Sequence, residues 1–341
     1  MNLDCSIRTY LPQIEPRESF GFVTLRSGKT GASLRVDTPD ESANSSGYAQ
    51  AVTHYLLSDE TAEGVLMFVY TNEPPADPTP GAKAYADYAK AIRAEVERAG
   101  LMMRDGWLIT DAGWRNYFCD DPFCCPLHPL SEIRDSAVNA EMVYAGSAKR
   151  ADRAADPTFI GSNDTEAEIW DTASRFPMVD GLDFNHPVMC EARQDWHDAL
   201  GTTPGEAAAV DLLAVLQCKP LRDRIFVDAI SGTETPDTYK QVMIGQFEGQ
   251  PDWSRVDATE NLLIHLLSYA PGETRAPVFC FLGWLSWYKG RSSTALAYIA
   301  KGLEADPAHR LALLLNEMLR LGKLPEATTK PSTAYSASSE R

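Results

Sequence analysis

Residues 64–70 read Gly64-Val65-Leu66-Met67-Phe68-Val69-Tyr70, a run of seven residues without a charged side chain. Such a run favours a strand covered on both faces, as in a sheet with helices packed against it. Upstream, residues 20–25 and 32–36 flank a Ser/Gly turn and predict a β-hairpin. Downstream, helical spacing over 83–98 and an apolar segment at 101–110 complete a strand–helix–strand order. We therefore expect an α/β domain with a mixed sheet and covering helices.

The chain changes to helical periodicity beyond residue 150. Thr203-Pro204-Gly205-Glu206 predicts a capping box at the start of one helix. Residues 276–309 are similar to one tetratricopeptide repeat, with small residues where two helices approach and a Gly290 turn between them. The predicted organisation is an α/β domain at 1–150, an all-α domain at 151–325 containing this tetratricopeptide-like hairpin, and a disordered tail at 326–341, which is rich in Ser, Thr and Ala.

Two interpretations of the hairpin remain open. It either packs as part of one helical bundle, or it contributes a concave surface that binds a peptide. On the second interpretation Trp284 and Trp287 are the candidate interaction face, and the protein partner is bound through the C-terminal helices.

Charge and apolar patterning exclude several classes of partner. Lys and Arg number 31 against 48 Asp and Glu in 341 residues, a net charge of 31 − 48 = −17, which repels a nucleic-acid backbone. The sequence has no apolar run of the length, about 18 residues, that would predict a membrane span. The first residues lack the basic and apolar segments of a secretory signal, so we expect a cytoplasmic protein with reduced thiols. The sequence predicts no oligomeric state.

Three of the seven cysteines lie in the segment 119–128, Cys119-Asp120-Asp121-Pro122-Phe123-Cys124-Cys125-Pro126-Leu127-His128. Its two prolines predict a loop. Four side chains with metal-ligating atoms fall within ten residues, which matches the tetrahedral coordination of zinc. The candidate metal ligands are Cys119, Cys124, Cys125 and His128.

Two other interpretations of this cysteine-rich loop stay open. Neighbouring thiols can form a strained vicinal disulfide, but the sequence places nothing basic nearby, and Asp120 and Asp121 are expected to raise the thiol pKa values. Alternatively, the thiols are structural and pack within an ordered loop at the sheet edge.

Catalytic signatures are missing from the sequence, which has no G-x-S-x-G, P-loop, H-E-x-x-H or dinucleotide-binding glycine motif. Ligands in open α/β sheets bind beyond the carboxyl ends of the strands. The candidate ligand crevice is formed by the residues that follow the two best strands, namely Thr71, Asn72, Glu73, Thr110 and Asp111. Polar residues at strand ends are also common as caps and turns, and that interpretation stays open.

Several stretches together resemble an uncharacterised actinobacterial family, domain of unknown function 4192. They are Pro16-Arg17-Glu18-Ser19, Arg35-Val36-Asp37, residues 119–126, Asp135-Ser136 with Glu141 and Gly146, and Gly283 with Asp306-Pro307. The resemblance spans residues 10–325, and the cysteine segment is its most specific part. His128 stands where the family pattern has a glycine-containing turn. The resemblance implies no activity, cofactor or catalytic residue.

The missing catalytic signatures and the repeat-like hairpin lead to one functional expectation: a cytoplasmic accessory or protein-interaction protein rather than an enzyme. The alternative is a small-molecule-binding protein or enzyme that uses the strand-end groups, with zinc at the cysteine loop as its metal.

Overall fold

A computed structural model of the chain describes residues 18–27, 29–39, 44–74, 82–121, 123–134, 154–178, 183, 185–232, 235–330 and 332–335. It divides into two compact units, residues 1–151 and 152–341, close to the boundary predicted at residue 150. The first unit contains the mixed sheet expected from the sequence. Its described strands are β1 (Ser19–Arg26), β2 (Lys29–Asp37), β3 (Gly64–Tyr70), β4 (Met102–Thr110) and β5 (Gly113–Asn116).

The order of strands across the sheet is β2-β1-β3-β4-β5. β1 pairs antiparallel with both β2 and β3, and β5 pairs antiparallel with β4. The central pair, β3 and β4, is parallel, because helix α2 (Ala86–Arg98) connects them as a crossover. The parallel pairing places the ends of β3 and β4, and the residues after them, at one edge of the sheet.

All seven residues of β3 are buried, as its apolar run predicted. Val65, Met67 and Val69 pack against α2 and against α1 (Ser45–Leu56), since alternate side chains of a strand point to opposite faces. Side chains on the other face, including Leu66 and Phe68, form a second cluster with Trp107 and Ile109 of β4. β3 is therefore the centre of the first unit.

The second unit is rich in helices. They are α4 (Thr165–Ser174), α5 (Pro187–Ala199), α6 (Glu206–Gln217), α7 (Lys219–Ile230), α8 (Pro236–Met243), α9 (Trp253–Leu267), α10 (Arg275–Tyr288), α11 (Ser292–Ala305), α12 (Arg310–Arg320) and α13 (Glu326–Thr329), following the four-residue α3 (Ser131–Arg134) of the first unit. One hydrophobic core runs through this unit, from Ala154 to Ala327. None of the described helices has both the length and the apolar character needed to cross a membrane.

α10 and α11 form the helical hairpin expected at 276–309. Gly290, with φ of +73°, makes the turn between them. A Cβ atom on Gly283 would lie 2.7 Å from Ile299 Cδ1, so the absence of a side chain lets the two helices approach. The assignment of this hairpin to a tetratricopeptide repeat stays a prediction.

Two local predictions differ from the structure. The capping box is wrong: Gly205 is the N-cap residue of α6, and the carboxylate of Glu206 accepts hydrogen bonds from Ser162 N (2.5 Å) and Thr165 Oγ1 (2.6 Å) instead. The start of the predicted tail is structured, because α13 and residues 332–335 pack on the helical unit, with Trp253 Nε1 donating to Thr333 O (3.1 Å). Residues 336–341, and the stretch 135–146 that carries part of the family resemblance, lie outside the described residues.

Candidate metal centre

The base of the cysteine loop is held by the last strand of the sheet. Trp114 of β5 and His128 exchange two backbone hydrogen bonds of 2.8 Å, and their rings stack with centroids 4.6 Å apart. Gly113, with φ of +151°, precedes this pair, and a Cβ atom there would lie 2.3 Å from His128 O. Glycine is thus required at position 113 for the backbone to approach His128 this closely.

Two side chains shape the interior of the loop. Asn116 Oδ1 accepts hydrogen bonds of 2.9 Å from the backbone N–H groups of Phe118 and Cys119. The carbonyl of Asp121 accepts the N–H of Cys125 at 2.9 Å. These bonds close a turn that brings Cys125 back beside Cys119.

Lys83 anchors the loop from the segment before α2. Its side chain is buried, and Nζ donates to Cys119 O (2.9 Å) and to Asp120 Oδ1 (2.7 Å). The expectation that nothing basic lies nearby is therefore wrong, because the lysine is 36 residues away in sequence but in contact through the fold.

The three thiols of the loop converge. The Sγ atoms of Cys119, Cys124 and Cys125 all lie within 4.8 Å of one another, and those of Cys124 and Cys125 are 3.9 Å apart. Cys124 is exposed and the other two are half-buried. Two of the three are partly buried in a hydrogen-bonded loop, so the interpretation of the thiols as structural stays open beside metal binding.

The separation of two of the sulfurs is compatible with coordination of one metal ion. Zinc–sulfur bonds of about 2.3 Å in tetrahedral geometry place neighbouring sulfurs about 3.8 Å apart. The Cys124–Cys125 distance of 3.9 Å is close to that value. A disulfide needs about 2.05 Å, so the same pair would have to move together by nearly 2 Å. The pair is therefore close enough for both sulfurs to bind one ion, and it is not bonded as a disulfide.

The thiols of Cys119 and Cys125 differ in pKa. A hydrogen bond from the Cys125 thiol lowers the pKa of Cys119, and it outweighs the charge of Asp121, which acts in the opposite direction. The same hydrogen bond, together with partial burial and the neighbouring Cys124 thiol, raises the pKa of Cys125 to about 12. Cys119 is therefore the first of the two to become a thiolate, which is the form that binds metals.

His128, the fourth ligand candidate from the sequence, does not join the thiols. Its ring stacks on Trp114, and its Nδ1 lies 3.2 Å from Glu132 Oε2. The cluster of ligand atoms that lie within 4.8 Å of one another contains the three sulfurs and not a His128 nitrogen. The structure thus brings together three of the four predicted ligands.

The residues of the candidate ligand crevice also lie close together, but their polar groups form hydrogen bonds within the protein. Asn72 Nδ2 donates to Asp111 Oδ2 and Asp111 N donates to Asn72 Oδ1, both at 2.8 Å. Thr110 Oγ1 donates to Gly113 O (3.2 Å) within the β4–β5 turn, and Glu73 is exposed. This network supports the interpretation as caps and turns.

Glu18 also lies at this edge of the sheet, and the sequence did not predict its contact with the crevice residues. Its carboxylate accepts Thr71 Oγ1 at 2.6 Å and Asn72 N at 3.0 Å. Glu18 reaches them because β1 is antiparallel to β3, with Ser19 opposite Tyr70. No spacing in the sequence indicates that register.

Trp284 and Trp287 are core residues and not an interaction face, since each is only 1% exposed. Their indole N–H groups donate to Met243 O (3.4 Å) and Lys323 O (2.7 Å). The apolar faces of α10 are covered by other helices of the unit. A shallow cavity of about 380 Å³ does exist in this unit, lined by Gln241, Gln246, Phe247, Glu248, Gly249 and Glu326.

Comparison with known proteins yields one match. The family model described as Domain of unknown function (DUF4192) matches residues 14–326. No curated protein and no solved structure matches the chain.

Proposed function

Because the chain belongs to the DUF4192 family, whose description assigns no activity, we propose its function from its own side chains. The proposed function is the binding of a soft divalent metal ion, zinc in the first instance, by the thiolates of Cys119, Cys124 and Cys125. The convergence of three sulfur atoms within 4.8 Å carries this proposal. A fourth ligand would come from solvent or a bound molecule, as in zinc sites with three protein ligands.

The surrounding structure supports the proposal in two ways. Lys83 and Asn116 hold the loop backbone through hydrogen bonds, so less conformational freedom is lost on binding than in a flexible loop. The exposure of Cys124 gives an ion a direct path from solvent.

Cadmium titration tests the site, because cadmium thiolates absorb in the ultraviolet and report the ligands directly. We expect the full-length reduced protein to bind one equivalent with a thiolate-to-metal absorption band. Cys124→Ser should weaken binding by at least about tenfold, because one of three protein ligands is removed.

Cys190→Ser is the matched control, since Cys190 is an exposed cysteine on α5 in the other unit. It should leave both the band and the affinity unchanged. Absence of the band from the native protein, or equal losses in the two variants, would refute the proposal.

A protein-interaction role is the second function we propose, and exposed leucines on α12 support it. Leu313, Leu314 and Leu321 are 49%, 58% and 63% exposed on or next to one helix. Apolar side chains grouped in this way are typical of surfaces that bind another protein. Leu314→Glu should abolish capture of any partner that uses this face, and retention of every partner would exclude the role.

We also propose that the protein is cytoplasmic and that its source is actinobacterial. Reduced thiols at residues 119, 124 and 125 require a reducing compartment to remain available for a metal ion. The charge of −17 supports a partner other than nucleic acid.

A further inference from the structure

α12 has two different faces. Ala312, Leu315 and Leu319 are buried against the rest of the helical unit. The opposite face is exposed along the whole helix and consists of Arg310, Leu313, Leu314, Glu317, Arg320 and the adjoining Leu321. Spacings of three, four and seven residues place these side chains in one stripe.

The central part of this stripe is symmetric in sequence. Arg310 stands three residues before Leu313, and Glu317 stands three residues after Leu314. Within the described residues, neither Arg310 nor Glu317 forms an ion pair with another side chain. The segment from Arg310 to Glu317 therefore presents a positive charge, two leucines and a negative charge, and Arg320 and Leu321 lie beyond it.

This pattern is complementary to itself when the helix direction is reversed. In an antiparallel pair of α12 helices related by a two-fold axis between positions 313 and 314, the leucines at these two positions of both copies come together at the axis. Each Arg310 then meets Glu317 of the other copy, twice in the pair. A parallel pair would place arginine against arginine and glutamate against glutamate, which is unfavourable.

We propose that the exposed stripe of α12 binds the same stripe of a second copy of this chain, antiparallel about that two-fold axis. Closed two-fold pairs need one surface that complements itself, and this stripe meets that requirement. The inference specifies the partner for the interaction role proposed above. One helix from each copy gives an interface smaller than that of permanent dimers, so the dimer is weak and concentration-dependent.

Charge reversal tests the pairing in the full-length protein. Sedimentation velocity over a concentration series should show reversible dimerisation. Arg310→Glu and Glu317→Arg should each weaken it by roughly tenfold, because each turns two attractive pairs into two repulsive ones. An equimolar mixture of the two variants should recover dimerisation, since every pair across that heterodimer is again attractive.

Arg104→Glu is the matched control, an equal change of charge at an exposed residue of β4. It should leave dimerisation unchanged. A protein that stays monomeric at every concentration, a mixture without recovery, or an equal effect of Arg104→Glu would overturn the inference. A monomer that still captures a different partner dependent on Leu314 would overturn only the inference and leave the interaction role standing.

Discussion

His309 combines a cap and a buried polar contact at the start of α12. Its Nδ1 accepts the backbone N–H of Ala312 at 3.3 Å and lies 3.3 Å from the Sγ of Cys280. Burial lowers the pKa of His309, and the charge of Arg222 acts in the same direction against Asp306 and Asp223. The neutral ring is therefore the form that the folded protein holds.

Stability should fall as the solution becomes acidic, because of this histidine. The unfolded chain binds the proton near the ordinary pKa of about 6.5, whereas the folded chain resists it. Below that pH the unfolded state carries more protons, so the free energy of unfolding decreases as pH falls. Urea denaturation followed by circular dichroism at pH 7 and pH 5 measures the slope.

His309→Asn provides the comparison for this pH dependence, because asparagine can cap α12 and does not titrate. We expect the variant to lose less stability than the native protein between the two pH values. Equal losses would show that His309 is not responsible.

Lys83 is a positioning residue for the cysteine loop, and its removal should weaken metal binding. Lys83→Met keeps most of the buried side chain but leaves the carbonyl of Cys119 without its partner. We expect cadmium affinity to fall by about tenfold, the scale found for residues that orient ligands. Asp120→Asn retains the bond to Cys119 and should change affinity by less than about threefold. An equal effect of both changes would argue against the carbonyl contact as the cause.

At the scale of elements, the close approach of α10 and α11 depends on Gly283. A Cβ atom there would lie 2.7 Å from Ile299 Cδ1 and 3.2 Å from the carbonyl oxygen of Ala295. Gly283→Ala should therefore lower the free energy of unfolding by about 1–2 kcal/mol, despite the better helix propensity of alanine. Urea denaturation measures the change.

Gly302→Ala is the control on the facing helix. Its Cβ atom would be no closer than 3.4 Å to any neighbour, which is ordinary contact. That variant should be neutral or more stable, because alanine is favoured over glycine within a helix by about 1 kcal/mol. Destabilisation by both changes would show that helix spacing is not the determinant.

The elements that the sequence predicts well are those with a local signal. The apolar run of β3 and the glycines at 283 and 290 indicate a buried strand and a tight helical hairpin through short-range patterns. The capping box at 203–206 failed for the opposite reason, since the Glu206 carboxylate is used by Ser162 and Thr165, about 40 residues away. Local motifs compete with such distant partners, which a single sequence does not reveal.

In the candidate site, too, the sequence predicts what depends on residues close together in the chain and misses contacts between distant ones. The cysteine spacing was sufficient to predict that three of the candidate ligands lie together, because Cys119, Cys124 and Cys125 share one short loop. His128 is close in sequence, but its ring contacts Trp114 and Glu132 and is not part of the sulfur cluster. Lys83 and Glu18 were missed because strand order and register decide which distant residues they meet.

On the scale of the whole molecule, each unit has a core of its own. The core of the helical unit includes residues from Ala154 to Ala327, and the sheet of the first unit packs in two separate clusters. We expect a fragment of residues 152–341 to fold alone, because the side chains of its core are all present. It should be helical by circular dichroism and unfold in one cooperative urea transition. A broad, non-cooperative transition would contradict this expectation.

The end of the chain should add to the stability of that fragment. The Tyr335 hydroxyl donates to Asp257 Oδ1 at 3.0 Å, and Lys289 and Arg291 lie 4.8 and 5.0 Å from the centre of its ring. A fragment that ends at residue 330 loses these contacts and should unfold with about 1–2 kcal/mol less free energy. Tyr335→Phe in the longer fragment keeps the ring and removes the hydroxyl, so its loss should be smaller. Equal stability of the two fragments would mean that residues 332–335 follow the surface of the helical unit without holding it together.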